Sequence, residues 1–178
     1  MGGTIETGFF KTAYGELIIG SFENQLCLCD WRYRKMRSAI DQRMETGLQA
    51  TYKESESDII METKKQLSAY FAGELKIFDL PLLLVGSDFQ KKVWELLQEI
   101  PFGKTESYAG LSEKHGNVKA IRAVASANGA NAIAIIVPCH RIIGSDGSLT
   151  GYAGGLQTKR RLLRLENAFA QGDLFPQD

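Results

Sequence analysis

The run Pro138-Cys139-His140-Arg141 is the part of this 178-residue chain best suited to covalent chemistry. A thiolate is a strong nucleophile, and its fraction at neutral pH depends on a nearby base or cation. His140 supplies such a base, and Arg141 adds positive charge. Neighbours on an extended chain point to opposite sides, so a water or a bend after Pro138 must connect thiol and imidazole. The same residues also fit a small buried thiol beside an ordinary histidine, because free cysteines are commonly buried. Cys27 and Cys29 fit that second description better. Two apart on a strand, they share one face, and no base or further ligand stands near them in sequence.

The elements that position Cys139 change character near residues 84–88, which divides the chain into a domain at 1–85, a domain at 86–169 and a tail at 170–178. In the first, the apolar runs 8–12, 16–22 and 25–31 are separated by Tyr14-Gly15 and Glu23-Asn24, the pattern of an antiparallel meander. Residues 36–56 are polar and mixed and read as loop or weak helix. From Asp58 to Phe71, Ile60, Lys64, Leu67 and Phe71 recur at helical spacing, with Gly73 as a stop. Residues 74–86 read as a short apolar strand.

In the second domain, Ser87 or Asp88 caps a helix with the face Phe89, Val93, Leu96, Leu97 and Ile100, ended by Pro101-Phe102-Gly103. Helices at 107–114 and 118–128, joined by His115-Gly116-Asn117, have the outline of a helix-turn-helix. Such helix pairs also occur in proteins that never touch DNA. Residues 132–137 read as a buried strand or extended run stopped by Pro138, and 144–155 as a Gly-rich loop. A last helix begins near Leu156, with Leu162, Leu163 and Leu165 inward and Lys159, Arg160, Arg161 and Arg164 outward.

Composition narrows the classes. Lys+Arg and Asp+Glu number 21 each, so the net charge is zero. The balance is uneven: ten basic against twelve acidic residues in 1–86, then eleven against seven in 87–166. The later segment is mildly basic, which permits DNA contact without requiring it. No apolar run reaches the ~18 residues of a membrane helix, and no secretory signal opens the chain. Three cysteines rule out a disulfide scaffold, and two histidines exclude a metal centre built on several imidazoles. These features predict a cytoplasmic protein with no membrane partner, no metal and no organic cofactor.

Separate motifs in one order then carry a resemblance. They are Phe89-Gln90-Lys91-Lys92-Val93-Trp94, Ile100-Pro101-Phe102-Gly103, Ser107-Tyr108, Ala120-Ile121-Arg122-Ala123-Val124, Ile136 to Ile143, Gly151-Tyr152-Ala153-Gly154-Gly155-Leu156 and Leu162 to Glu166. Together they resemble the O6-alkylguanine-DNA alkyltransferase family over about residues 86–166. The first 85 residues match only in style. The resemblance implies an α/β (α+β) fold: an N-terminal small antiparallel sheet with a helix, ribonuclease H-like, then a mostly helical, winged-helix-like domain with a helix-turn-helix.

The resemblance also implies a reaction: a flipped O6-alkylguanine, and by extension O4-alkylthymine, loses its alkyl group irreversibly to a cysteine, one lesion per chain. Cys139 is then the alkyl acceptor, His140 its base through a water, and Glu166 the group that holds the imidazole tautomer. Asn131 ties the DNA-binding helix to the active-site turn. Tyr108 hydrogen-bonds the flipped base, and Tyr152, Ala153 and the Ile142 backbone form pocket walls. Ala134 and Thr150 govern room for the alkyl group. Arg122 fills the gap left by the base, offsetting part of an extrusion cost of a few kcal/mol. Ala120, Ala123 and Ala125 let the helix approach a minor groove. The implied partner is double-stranded DNA carrying the lesion, bound by a monomer.

Unaided, Glu166 reads as a solvated charge, Asn131 as a turn residue, Tyr108 as a core or capping residue and the alanines as plain helix formers. Two features depart from the family. Ala109-Gly110 follows Tyr108 where longer polar residues are usual, and a helical Gly costs about 1 kcal/mol. No histidine precedes His115, so the zinc site of some relatives is not expected. Two other readings compete. A lesion-binding protein without transfer activity would replace the reactive cysteine, which is present here. A helix-turn-helix regulator would leave the Tyr152–Leu156 and Glu166 matches unexplained.

Overall fold

Glu23 and Asn24 both adopt left-handed backbone, at φ 49° and 64°, the geometry of a two-residue hairpin turn. They join β2 (Gly15–Phe22) to β3 (Gln25–Trp31), while β1 (Gly3–Thr12) lies antiparallel on the other side of β2. The computed structural model describes residues 2–168, in two compact units that meet in sequence at Ser87 and Asp88. The expected tail at 170–178 lies outside the described residues.

In the first unit, the meander gains a fourth strand that the sequence does not announce. Residues 36–56 form α1 (Arg37–Leu48) and β4 (Ala50–Glu54), and β4 pairs parallel with β1. The sheet order is therefore β3-β2-β1-β4, and the sheet is mixed rather than purely antiparallel. The helix is hard to read because only Ile40 and Met44 of its residues are buried. Ion pairs hold it instead: Arg37 reaches Asp30 at 2.8 Å and Asp41 at 2.9 Å. Gln49, at φ 49°, turns the chain directly into β4.

The helix expected from Asp58 forms as α2 (Asp58–Phe71), with Ser57 Oγ accepting the Ile60 N–H at 3.2 Å. Its buried stripe is Ile60, Thr63, Leu67 and Tyr70, one position away from the expected Lys64 and Phe71. Lys64 pairs with Glu56 at 3.1 Å, and Phe71 stacks on Tyr14. Residues 74–86 make only an isolated bridge, Leu26 to Leu82, rather than a strand. Pro81 has no N–H to extend a ladder there. Cys27 and Cys29 are buried in β3 as packing residues. Burial pushes the Cys27 thiol up to about 12 and raises that of Cys29 as well.

In the second unit, α3 (Asp88–Gln98) buries Val93, Trp94 and Leu97, and Trp94 Nε1 donates to Ala127 O at 2.8 Å. A two-residue strand β5 (Glu106–Ser107) leads into α4 (Tyr108–His115). Gly116, at φ 99°, ends α4, a 3₁₀ turn spans Val118–Ala120, and α5 (Ile121–Gly129) follows. The helix-turn-helix order is present. Helix α4 runs unbroken through Gly110, whose N–H donates to the capping Ser107 Oγ at 2.9 Å. A Cβ at Gly110 would collide with the Glu106 carboxylate, so the small residue serves the cap.

Residues 132–137, all buried but the half-buried Ile136, are neither a strand nor an extended run. They coil through short turns, with Val137 N bonded to Ile133 O at 3.0 Å and Ile135 at φ 71°. β6 (Ile142–Ile143) pairs parallel with β5, and α6 (Leu156–Leu165) closes the unit. Leu162 and Leu163 are fully buried and Leu165 half-buried. Lys159, expected outward, is also fully buried.

Candidate active site

Cys139 is delivered by the coil that follows α5, and Asn131 organises that coil. Its Oδ1 accepts the Ile133 N–H at 3.0 Å, and its Nδ2 donates to Val137 O at 2.8 Å and Ile133 O at 3.3 Å. The same Nδ2 lies 3.2 Å from Cys139 Sγ. An N–H aimed at sulfur favours the charged thiolate over the neutral thiol. Cys139 opens a 3₁₀ turn, Cys139–Arg141, and the Ile142 N–H closes it on Cys139 O. That N–H is therefore committed inside the turn, leaving the Ile142 carbonyl as the group that can face a ligand.

The 3₁₀ turn sends His140 and Arg141 to one carboxylate. His140 Nε2 is 2.6 Å from Glu166 Oε2, and Arg141 Nε donates to Glu166 Oε1 at 2.8 Å. Arg141 Nη2 reaches Oε2 at 3.2 Å, and the Gly103 N–H reaches Oε1 at 3.3 Å. Arg141 Nη1 donates to Ile100 O at 2.6 Å. The guanidinium is thus engaged with Glu166 and Ile100.

Burial pushes the His140 pKa down against the opposing pull of Glu166. Burial also opposes the Glu166 charge, but His140 and Arg141 outweigh it and bring the carboxyl down to about 2. At neutral pH the imidazole is neutral, with its proton on the nitrogen facing a carboxylate held ionised by Arg141. His140 Nδ1 is buried and has no hydrogen-bond partner among the described residues. Its lone pair is the basic position of this site.

Around this core, Tyr152 sits edge-on to His140, with ring centroids 6.5 Å apart at 76°. Ala153 follows it and is half-buried. Tyr108, the first residue of α4, donates from its hydroxyl to Thr150 O at 3.4 Å. Ala134 is buried and Thr150 exposed. The structure thus pairs Asn131 with Cys139 and His140 with Glu166 on neighbouring residues, and ties Tyr108 to the loop that carries Tyr152. Among the described residues, no cluster of three His, Cys, Asp or Glu side chains is placed to hold a metal ion.

On α5, Arg122 and Ala123 are exposed, while Ala125 is half-buried. Ala120 precedes the helix as its N-cap and is half-buried rather than part of the Arg122 face. That face continues instead through Ser126 and Gly129, both exposed, four and seven residues beyond Arg122. A Cβ at Gly129 would meet nothing, so the surface there is open. Sequence reading passes over these two, although the helical spacing from Arg122 carries the signal.

The second unit thus combines a helix-turn-helix with a buried cysteine and, on the next two residues, a His-Arg-Glu network, and a small mixed sheet precedes it in sequence. The second unit matches the family description "6-O-methylguanine DNA methyltransferase, DNA binding domain" over residues 88–168, and the first matches its ribonuclease-like domain over residues 5–84. The constitutive methylated-DNA–protein-cysteine methyltransferase of Bacillus subtilis is 42% identical over 157 residues, 88% of this chain and 92% of its own. The methylated-DNA–protein-cysteine methyltransferase of Methanosarcina acetivorans is 55% identical over 111 residues, 62% of this chain and 71% of its own. The crystal structure of Mycobacterium tuberculosis OGT in complex with DNA superposes with a TM-score of 0.76 at 39% identity, covering 93% of each chain. The chain belongs to the 6-O-methylguanine DNA methyltransferase family.

Proposed function

We propose that this chain repairs DNA by moving the alkyl group of O6-alkylguanine onto Cys139, once per molecule. The observation that carries the reading is two buried side-chain contacts made by adjacent residues, His140 with Glu166 and Cys139 with Asn131. His140 Nδ1, acting through a water, takes the thiol proton. The Asn131 amide steadies the charge that forms on Sγ. The new bond joins Sγ to the alkyl carbon as the carbon–O6 bond breaks, its electron pair leaves with the guanine, and the proton taken from the thiol neutralises that guanine. A thioether is a poor leaving group, so the reaction does not reverse and each chain serves once. Glu166 stays ionised throughout and fixes which imidazole nitrogen is free.

The base reaches Sγ by leaving the duplex. Arg122, on the small-residue face of α5, occupies the gap, and Tyr108, Tyr152, Ala153 and the Ile142 carbonyl receive the base. Small side chains at Ala123, Ser126 and Gly129 allow backbone approach to a minor groove. O4-alkylthymine is a second substrate of the same pocket. The protein acts as a monomer in the cytoplasm; no described helix is long and apolar enough to cross a membrane.

The test is intact mass after incubation with duplex DNA bearing one O6-methylguanine, beside a Cys139→Ser control. One methyl gained, mapped to Cys139 and saturating at one per chain, is the expected result. Tight, lesion-selective binding without mass change would instead make this a lesion-flagging protein. No change and no lesion preference would leave a helix-turn-helix regulator.

A further inference from the structure

Lys159 is fully buried, a placement that costs free energy unless the ammonium is well hydrogen-bonded. Its Nζ donates to Thr150 O at 3.1 Å and Gly151 O at 3.3 Å. The Thr150 carbonyl also accepts the Tyr108 hydroxyl, so α4 and α6 converge on one oxygen of the loop between them. Two backbone bonds tighten the same segment, Gly155 N to Tyr152 O and Lys159 N to Gly155 O, each 3.0 Å. The loop so held carries Tyr152, whose ring stands edge-on to His140.

From this convergence we infer that Lys159 is a positioning residue for alkyl transfer: its ammonium fixes the Thr150–Ala153 turn against Tyr108 and His140. The inference rests on the transfer reading above. It gives the buried cation a function that none of the catalytic contacts uses. A loop wall that drifts by about 1 Å can cost on the order of a hundredfold in rate, so a dedicated tether is worth its burial. The titratable groups around it are Cys139, His140 and, across the Thr150 carbonyl, Tyr108. Burial brings the Lys159 ammonium down to about 8, with Cys139 opposing, so the tether is charged at neutral pH and weakens above that value.

Lys159→Met keeps the length and removes the charge. Single-turnover methyl transfer from an O6-methylguanine duplex, measured against protein concentration, separates the saturating rate from the half-saturating concentration. Amide exchange of residues 150–153 is followed in parallel. The saturating rate is expected to fall about tenfold or more while the half-saturating concentration changes by no more than about twofold, and exchange at 150–153 to accelerate. A folded variant with unchanged rate and unchanged exchange overturns the inference. If the variant does not fold, the Cys139→Ser protein is titrated from neutral to alkaline pH by amide NMR. Gly151 and Tyr152 shifts moving together at or below about pH 8, because Cys139 no longer holds the ammonium up, support the tether, and shifts that do not move overturn it. If the native protein transfers no methyl, the transfer reading fails on its own, while exchange and titration still judge the tether.

Discussion

His140 and Glu166 meet at 2.6 Å with neither side chain exposed to solvent. Arg141, the next residue, ends on the same carboxylate. One acidic group at the end of α6 therefore sets the imidazole tautomer, neutralises a buried guanidinium and anchors the Gly103 N–H.

Glu166→Gln keeps the shape but leaves Arg141 as a buried charge without its counter-ion. Breaking such a pair costs about 3–5 kcal/mol. The variant is expected to unfold at a clearly lower urea concentration, and its methyl transfer to slow sharply because the imidazole loses its fixed tautomer. A wild-type unfolding midpoint would contradict this account of the network.

Acid should weaken the fold in two stages. The native state holds His140 neutral, whereas the unfolded chain takes up a proton below its ordinary value of 6.5, so stability falls as pH drops below 6.5. The Glu166 carboxyl is lowered from 4.5 to about 2, so its contribution is complete above 4.5 and is lost as pH falls toward 2. Urea midpoints at about pH 7.5, 6 and 5 should decline in that order. In His140→Gln the decline between about pH 6.5 and 5 should flatten.

Asn131→Ala removes one side chain that satisfies a backbone N–H, two carbonyls and a thiol inside a buried coil. The expected loss of stability is about 1–3 kcal/mol. Asn131→Asp keeps the shape but replaces the donor with an acceptor, so the thiol should react more slowly with iodoacetamide at neutral pH. Equal labelling rates in the native protein and the Asn131→Asp variant would remove Asn131 from the account of thiol activation.

The face of α5 makes a separate prediction. Arg122→Ala should slow repair of duplex DNA by about tenfold, since extrusion costs a few kcal/mol, and affect a single-stranded substrate much less. Ser126→Trp should weaken duplex binding by filling the close approach. A filter-binding series on both substrates checks the pair, and a bulky residue at this position that binds normally would move the DNA face elsewhere.

Much of this architecture is legible in the sequence because its signals are local. The hairpin at Glu23-Asn24, the helix from Asp58 and the joint at His115-Gly116-Asn117 each state their geometry within a few residues. Cys139 and His140 stand out by residue type, whereas Glu166 and Asn131 are reached through the resemblance; spacing alone makes Glu166 a surface charge, since its partners lie in other segments. The misses share a cause too. Periodicity puts Lys159 outward because a polar head on an amphipathic helix normally faces water, and nothing in α6 itself reveals the carbonyls waiting at Thr150 and Gly151. Residues 132–137 read as a strand from their apolar content, but the asparagine just before them dictates their turns. Helix α1 reads only as loop or weak helix because ion pairs, not an apolar stripe, secure it.

The three cysteines have a practical corollary. None is in a disulfide, and two lie in β3 with thiols that burial keeps protonated. On the proposed reaction, alkyl transfer consumes the third, Cys139, alone. A sample denatured and counted for reactive sulfhydryls would therefore read three per chain when unused and two when spent, at any protein concentration. The molecule archives its own exposure: the fraction of chains reading two is a tally of the lesions that population has met.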